Sequence, residues 1–75
     1  MTVEETAANP AHYSRWNVEP LEFIMQNEVD FVRGNIIKYI MRFDEKDGLS
    51  DLYKARTYLN RLIAKHEGKP EYWTA

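Results

Sequence analysis

The sequence predicts an all-α protein: a small three-helix domain with an αα-hairpin core, a short first helix and extended termini. Apolar residues recur at helical spacing in three successive segments, and Pro and Gly mark where those segments start and stop. No alternating apolar–polar run competes as a strand, and neither an internal repeat nor a low-complexity tract is present.

Residues 1–8 are polar, acidic and without periodicity, which is the pattern of a flexible N-terminal arm. Asn9-Pro10-Ala11-His12-Tyr13 opens on a turn signal, and Tyr13 and Trp16 precede the first helix. Pro20 suits the first helical position, because its missing N–H would be unpaired there anyway. Leu21, Ile24 and Met25 form its apolar stripe, with Phe23 to one side, and the helix is expected to fade near Asn27.

Asp30 is the expected N-cap of the second helix, since its carboxylate can accept from free N–H groups of the first turn. Ile36, Ile37, Ile40 and Met41 supply the buried stripe, with Phe31 and Val32 near its start. Asp44-Glu45-Lys46-Asp47-Gly48 reads as a turn. Ser50 is expected to cap the third helix, where Leu52, Ala55, Leu59, Leu62 and Ile63 recur at helical spacing. Gly68 suits the position just past its end, and Pro70 forbids continuation. A single helical domain over 9–68 results. Residues 69–75 form a C-terminal aromatic tail, too short for another element. Leaving Tyr72 and Trp73 in water would be costly, so they are expected to dock on this subunit or a neighbour.

A chain of 75 residues buries only about 60% of the surface its unfolded form exposes. With no cysteine there is neither a disulfide nor a thiolate metal site, which makes a homo-oligomer the expected way to add buried area. No apolar run approaches the roughly 20 residues of a membrane span, and a signal peptide's basic and apolar regions are lacking, so the cytoplasm is the expected location. The net charge of −2 hides a segregation. Residues 31–43 carry Arg33, Lys38 and Arg42 with no acid, and residues 52–69 carry five bases against Glu67, while the flanking segments are acidic. General duplex-DNA binding needs a broad basic face and is not expected. A local anion pocket or charge pairing between subunits fits better.

The second helix contains an anomaly. Gly34 and Asn35 are both poor helix formers in the middle of an apolar pattern. Gly34, Lys38 and Arg42 fall at i, i+4 and i+8, with Asn35 beside Lys38, so one helix edge offers bare backbone, a carboxamide, an ammonium and a guanidinium. Gly34 permits close approach of another helix or of a ligand. Lys38 and Arg42 repel one another unless an anion lies between them. That anion is either Asp47 or Asp51 of the same fold or an external phosphate, which Arg42 would grip bidentately and Lys38 as a point charge. Tyr39 and Tyr58 can serve as core or stack a base, and His12 can hold a structural hydrogen bond or donate to phosphate. Gly-rich phosphate loops, paired histidines at metal spacing and cysteine nucleophiles are all absent from the sequence.

Three ordered motifs carry a resemblance: Asn9-Pro-Ala-His12-Tyr13; then Phe31-x-x-Gly34-Asn35-x-x-Lys38-Tyr39-x-x-Arg42; then Gly48-x-x-Asp51-Leu52-x-Lys54-Ala55-x-x-Tyr58-Leu59. Over roughly residues 9–64 the chain resembles the SaV-like family of small bacteriophage proteins, a domain of unknown function. It departs at Phe43-Asp44-Glu45, where members commonly have small or basic residues after the arginine. A similar region occurs in a T-odd phage deoxynucleoside-monophosphate kinase that lacks the standard phosphate loop and is oligomeric. The resemblance implies a phage origin and a nucleotide or other phosphate-bearing ligand held by His12, Tyr13, Gly34, Asn35, Lys38, Tyr39, Arg42 and Lys54, in deoxynucleotide metabolism or in sequestering a host nucleotide. The alternative is a protein-binding module that inhibits or redirects a host enzyme through its basic helices or its Tyr72-Trp73 tail. No cofactor is certain. A phosphotransferase, the less favoured reading, would need Mg, for which Asp44, Glu45, Asp47 and Asp51 are the acidic residues close in sequence.

Overall fold

A computed structural model describes residues 15–75 of the chain. The described residues form three helices and no strand: α1 (Pro20–Gln26), α2 (Phe31–Arg42) and α3 (Leu49–His66), followed by a 3-10 turn at Tyr72–Thr74. The protein is all-α, with a short first helix and an α2–α3 hairpin.

Local chemistry sets the ends of each element. Pro20 opens α1 after the extended Glu19. The helix closes in a Schellman motif: Val29 N–H donates to the Ile24 carbonyl at 2.9 Å and Glu28 N–H to that of Met25 at 3.3 Å. Glu28 holds the left-handed position of this cap at φ +51°, where glycine is the usual residue. Asp30 caps α2 by accepting from Arg33 N–H at 3.3 Å. At the far end of α3 the same Schellman arrangement recurs with a glycine. Lys69 N–H donates to the Ala64 carbonyl and Gly68 N–H to that of Lys65, with Gly68 at φ +75°.

The start of α3 differs from expectation. Ser50 does not cap it; the helix begins at Leu49 after Gly48, whose φ of +54° swings the chain into the helix sooner. Asp51, at the third helical position, reaches back to accept at 3.4 Å from the N–H of Asp47, the residue just before the N-cap Gly48. Residues 69–75 also gain an element that their length did not suggest. Tyr72–Thr74 packs on α3 as a 3-10 turn, with Trp73 edge-on to Tyr72 at 5.2 Å and Lys65 Nζ 5.6 Å from the Tyr72 ring.

The helices bury little. Ala55 and Ala64 are the only fully buried apolar side chains among the described residues. Of the stripe expected on α1, Ile24 is half-buried while Leu21 and Met25 stay exposed. Ile24 sits where the helices come closest. A Cβ built on Gly34 would lie 3.4 Å from Ile24 Cγ2, so glycine lets α1 rest on the α2 backbone.

That distance is ordinary van der Waals contact, so Gly34→Ala is expected to fit and to gain up to about 1 kcal/mol of helix propensity. Gly34→Leu is expected to displace α1 and lower the melting temperature, with partial recovery in the Gly34→Leu/Ile24→Ala double variant. Thermal denaturation followed by circular dichroism reads both effects.

Candidate anion-binding edge and apolar groove

The antiparallel hairpin brings the basic residues of α2 against the first two turns of α3. Arg42 ends α2 and meets Asp51, its Nε 3.1 Å from Oδ2 and its Nη2 3.3 Å from Oδ1, a fork-to-fork geometry. Asp51 has no accessible surface at all, yet it accepts from Arg42 and Asp47 N–H and lies 3.6 Å from Lys54 Nζ. Of the two carboxylates in reach, Asp51 is thus the one that grips Arg42, while Asp47 lies 3.4 Å from Lys54. The Arg42 hydrogen bonds hold the Asp51 carboxyl below its ordinary range although burial opposes this, and the same bonds raise Arg42 further.

Around this pair lies an aromatic row. Phe31 meets Tyr58 edge-on at 6.1 Å, and Tyr58 stacks on Tyr39 at 6.2 Å with planes 19° apart. Three cations surround the Tyr39 ring: Lys38 Nζ at 4.6 Å, Arg42 Cζ at 5.0 Å and Lys54 Nζ at 5.5 Å from its centroid. Each is within cation–π reach. Arg42 and Lys54 also face carboxylates, whereas Lys38 has none within 4 Å among the described residues. Lys38 is thereby the cation of this cluster most open to an outside anion.

Gly34 and Asn35 play local parts. Gly34 carries Ile24, and Asn35 Nδ2 donates to the Phe31 carbonyl one turn back at 3.1 Å, which answers how a carboxamide is tolerated mid-helix. Both also line a groove of about 220 Å3 between α1 and α2, walled by Pro20, Leu21, Ile24, Val29 and Phe31 and reaching Lys38 at its polar end. Apolar periodicity does not mark this groove, because the Schellman cap of α1 that sets Ile24 beside Val29 carries Glu28 where a glycine would signal it. His12 and Tyr13 lie outside the described residues.

The acidic residues proposed for Mg do not converge. Asp44 and Glu45 hold Arg15, at 2.7 and 3.5 Å, while Asp51 and Asp47 face Arg42 and Lys54. Among the described residues no three His, Asp or Glu side chains are grouped to hold a metal ion. As placed among the described residues, these four acids do not fit a Mg site, and no step through a metal follows from them. No helix among the described residues is long and apolar enough to cross a membrane.

Because the folded Asp51 carboxyl titrates below its unfolded value near 3.8, its stabilising contribution is complete above that pH and fades as pH falls through the lower, folded value. Asp51→Asn is therefore expected to lower the melting temperature at pH 7 by on the order of 10 °C, and to flatten its fall below about pH 4. Melting curves from pH 2 to 7 test this; an unchanged acid limb would separate Asp51 from acid stability.

No curated protein and no solved structure matches the chain. A family model does, over residues 7–60, a span that takes in all three sequence motifs and every residue of the Arg42–Asp51 cluster. The chain belongs to DUF3310, a family of proteins of unknown function.

Proposed function

We propose that this chain is a phage-encoded, oligomeric helical protein that binds a nucleotide or similar phosphate-bearing molecule in the host cytoplasm, in deoxynucleotide metabolism or in sequestering a host nucleotide. The observation that carries the reading is the apolar groove ending at Lys38, the one of the three cations around Tyr39 that faces no carboxylate within 4 Å among the described residues. Such a groove suits a ligand with one flat apolar part and one anionic part. Pockets that enclose a whole drug-sized ligand measure roughly 300–1,000 Å3. At about 220 Å3 the groove takes a base or sugar, leaving the phosphate outside over Lys38 and the cationic rim of Tyr39. Phe31, three-quarters exposed at the groove wall, is the aromatic face available for stacking. The resemblance to phage proteins, including the region shared with a deoxynucleoside-monophosphate kinase, supports the choice of nucleotide and the phage origin. Phosphoryl transfer is not part of the reading, because the four acids it would use for Mg each face a cation.

A second reading, a module that binds and inhibits or redirects a host enzyme, is favoured by one observation: Trp73 stays 59% exposed although its turn packs on α3. It predicts a stoichiometric host partner that Trp73→Ala abolishes in a pull-down.

For the leading reading, at least one mononucleotide or cyclic dinucleotide is expected to raise the melting temperature of the purified protein. Lys38→Ala is expected to weaken that ligand about tenfold or more, a loss of roughly 1.4 kcal/mol. The effect should shrink with added salt, since the contact is an exposed charge. Flat melting curves across the whole panel would overturn it.

A further inference from the structure

The hairpin has two unlike sides. At 100° per residue, the α3 residues that face α2 (Asp51, Ala55, Tyr58 and Leu62) and the second apolar row (Leu52, Leu59 and Ile63) are centred about 90° apart around the helix. Leu59 and Ile63 are 44% and 47% exposed. Arg56, which would interrupt that row, folds away from it, its Cζ 4.7 Å from the Tyr53 ring. On α2, Ile36 and Ile40 stand one turn apart beside the α3-facing edge, and Ile40 is 45% exposed. Because the helices run antiparallel, both rows fall on the same side of the hairpin. Lys38, Lys54 and the groove fall on the other.

We infer that this apolar side is where a second copy of the chain docks, hairpin on hairpin, forming a four-helix bundle with α3 antiparallel to its counterpart near Leu59. The inference names the face for the oligomer proposed above and is independent of the ligand part of that reading. Three observations favour a second copy as occupant. A helix in a four-helix bundle touches two neighbours about a right angle apart, and α3 carries an apolar row for each, yet among the described residues only α2 and the short 3-10 turn pack on it. Among the described residues only two apolar side chains are fully buried, so a partner adds buried area whenever the chain is folded, and another copy is present whenever it is. Two helices of 12 and 18 residues side by side also present a face on the order of 400–500 Å2 in projection. Corrugation by side chains brings that toward the roughly 800 Å2 per partner of a standard interface. The groove and Lys38 face away and stay open in such a dimer.

The test uses the full chain, which has no cysteine. Sedimentation equilibrium at tens of micromolar is expected to give a dimer or a multiple of it, and Leu59→Glu a monomer that keeps its helical circular dichroism. Since Leu59→Glu can instead fail to fold, Leu59→Cys serves as a second variant. Residues near a two-fold axis meet their own counterparts, so L59C is expected to cross-link to a covalent dimer on mild oxidation, whereas Glu22→Cys on α1 does not. A monomeric wild type, or equal cross-linking at both positions, would overturn the inference; so would a folded Leu59→Glu variant that stays dimeric. Neither readout involves a nucleotide, so failure here leaves the melting-curve result to stand or fall alone.

Discussion

The ion pair between Arg42 and Asp51 closes the hairpin at the point where α2 ends and α3 begins, and the rest of the fold is registered from it. Asp51 is the only fully buried charge among the described residues, and one residue is asked to do three jobs. It accepts the Arg42 fork, it caps the entry to α3 through Asp47 N–H, and it lies close enough to Lys54 to hold that cation over the Tyr39 ring. Removing two charges from water is expensive unless further hydrogen bonds satisfy them, and Asp51 has these. A buried pair of this kind specifies register more than it adds stability. Sliding α3 along α2 by one turn would leave a buried carboxylate without its guanidinium.

That register sets what each side of the hairpin presents. With Arg42 and Lys54 drawn inward to carboxylates, the positive character of the cluster passes outward to Lys38, at the edge of the groove. The edge leaves fewer polar groups open to solvent than four adjacent polar residues suggest. Gly34 serves Ile24, Asn35 serves the Phe31 carbonyl and Arg42 serves Asp51.

Much of the fold was legible in the sequence. Pro20, Asp30 and Gly68 act through backbone geometry and cap chemistry that depend on a few neighbouring residues, so they read correctly in isolation. Ser50 misled because capping propensity competes with the positive φ that Gly48 alone can supply, and the glycine decided where α3 starts. The burial of Asp51 was not legible. One turn into a helix an aspartate looks like a solvated edge, and only the antiparallel return of the chain sets it under Arg42. The α1–α2 groove was hidden for a similar reason, since its walls come from a cap contact, Ile24 beside Val29, and not from a run of like residues.

The left-handed Glu28 has a bearing on how the groove behaves over time. A non-glycine residue in that conformation carries a strain of about 1–2 kcal/mol. It sits in the hinge of the shortest helix, which has no fully buried residue and rests on α2 through Ile24 over a glycine. Local opening free energy follows buried contacts, so α1 belongs to the part of the molecule that opens first, well below global unfolding. One wall of the groove is fixed to the hairpin and the other is on a strained hinge. Its width can therefore vary while the Arg42–Asp51 lock stays shut.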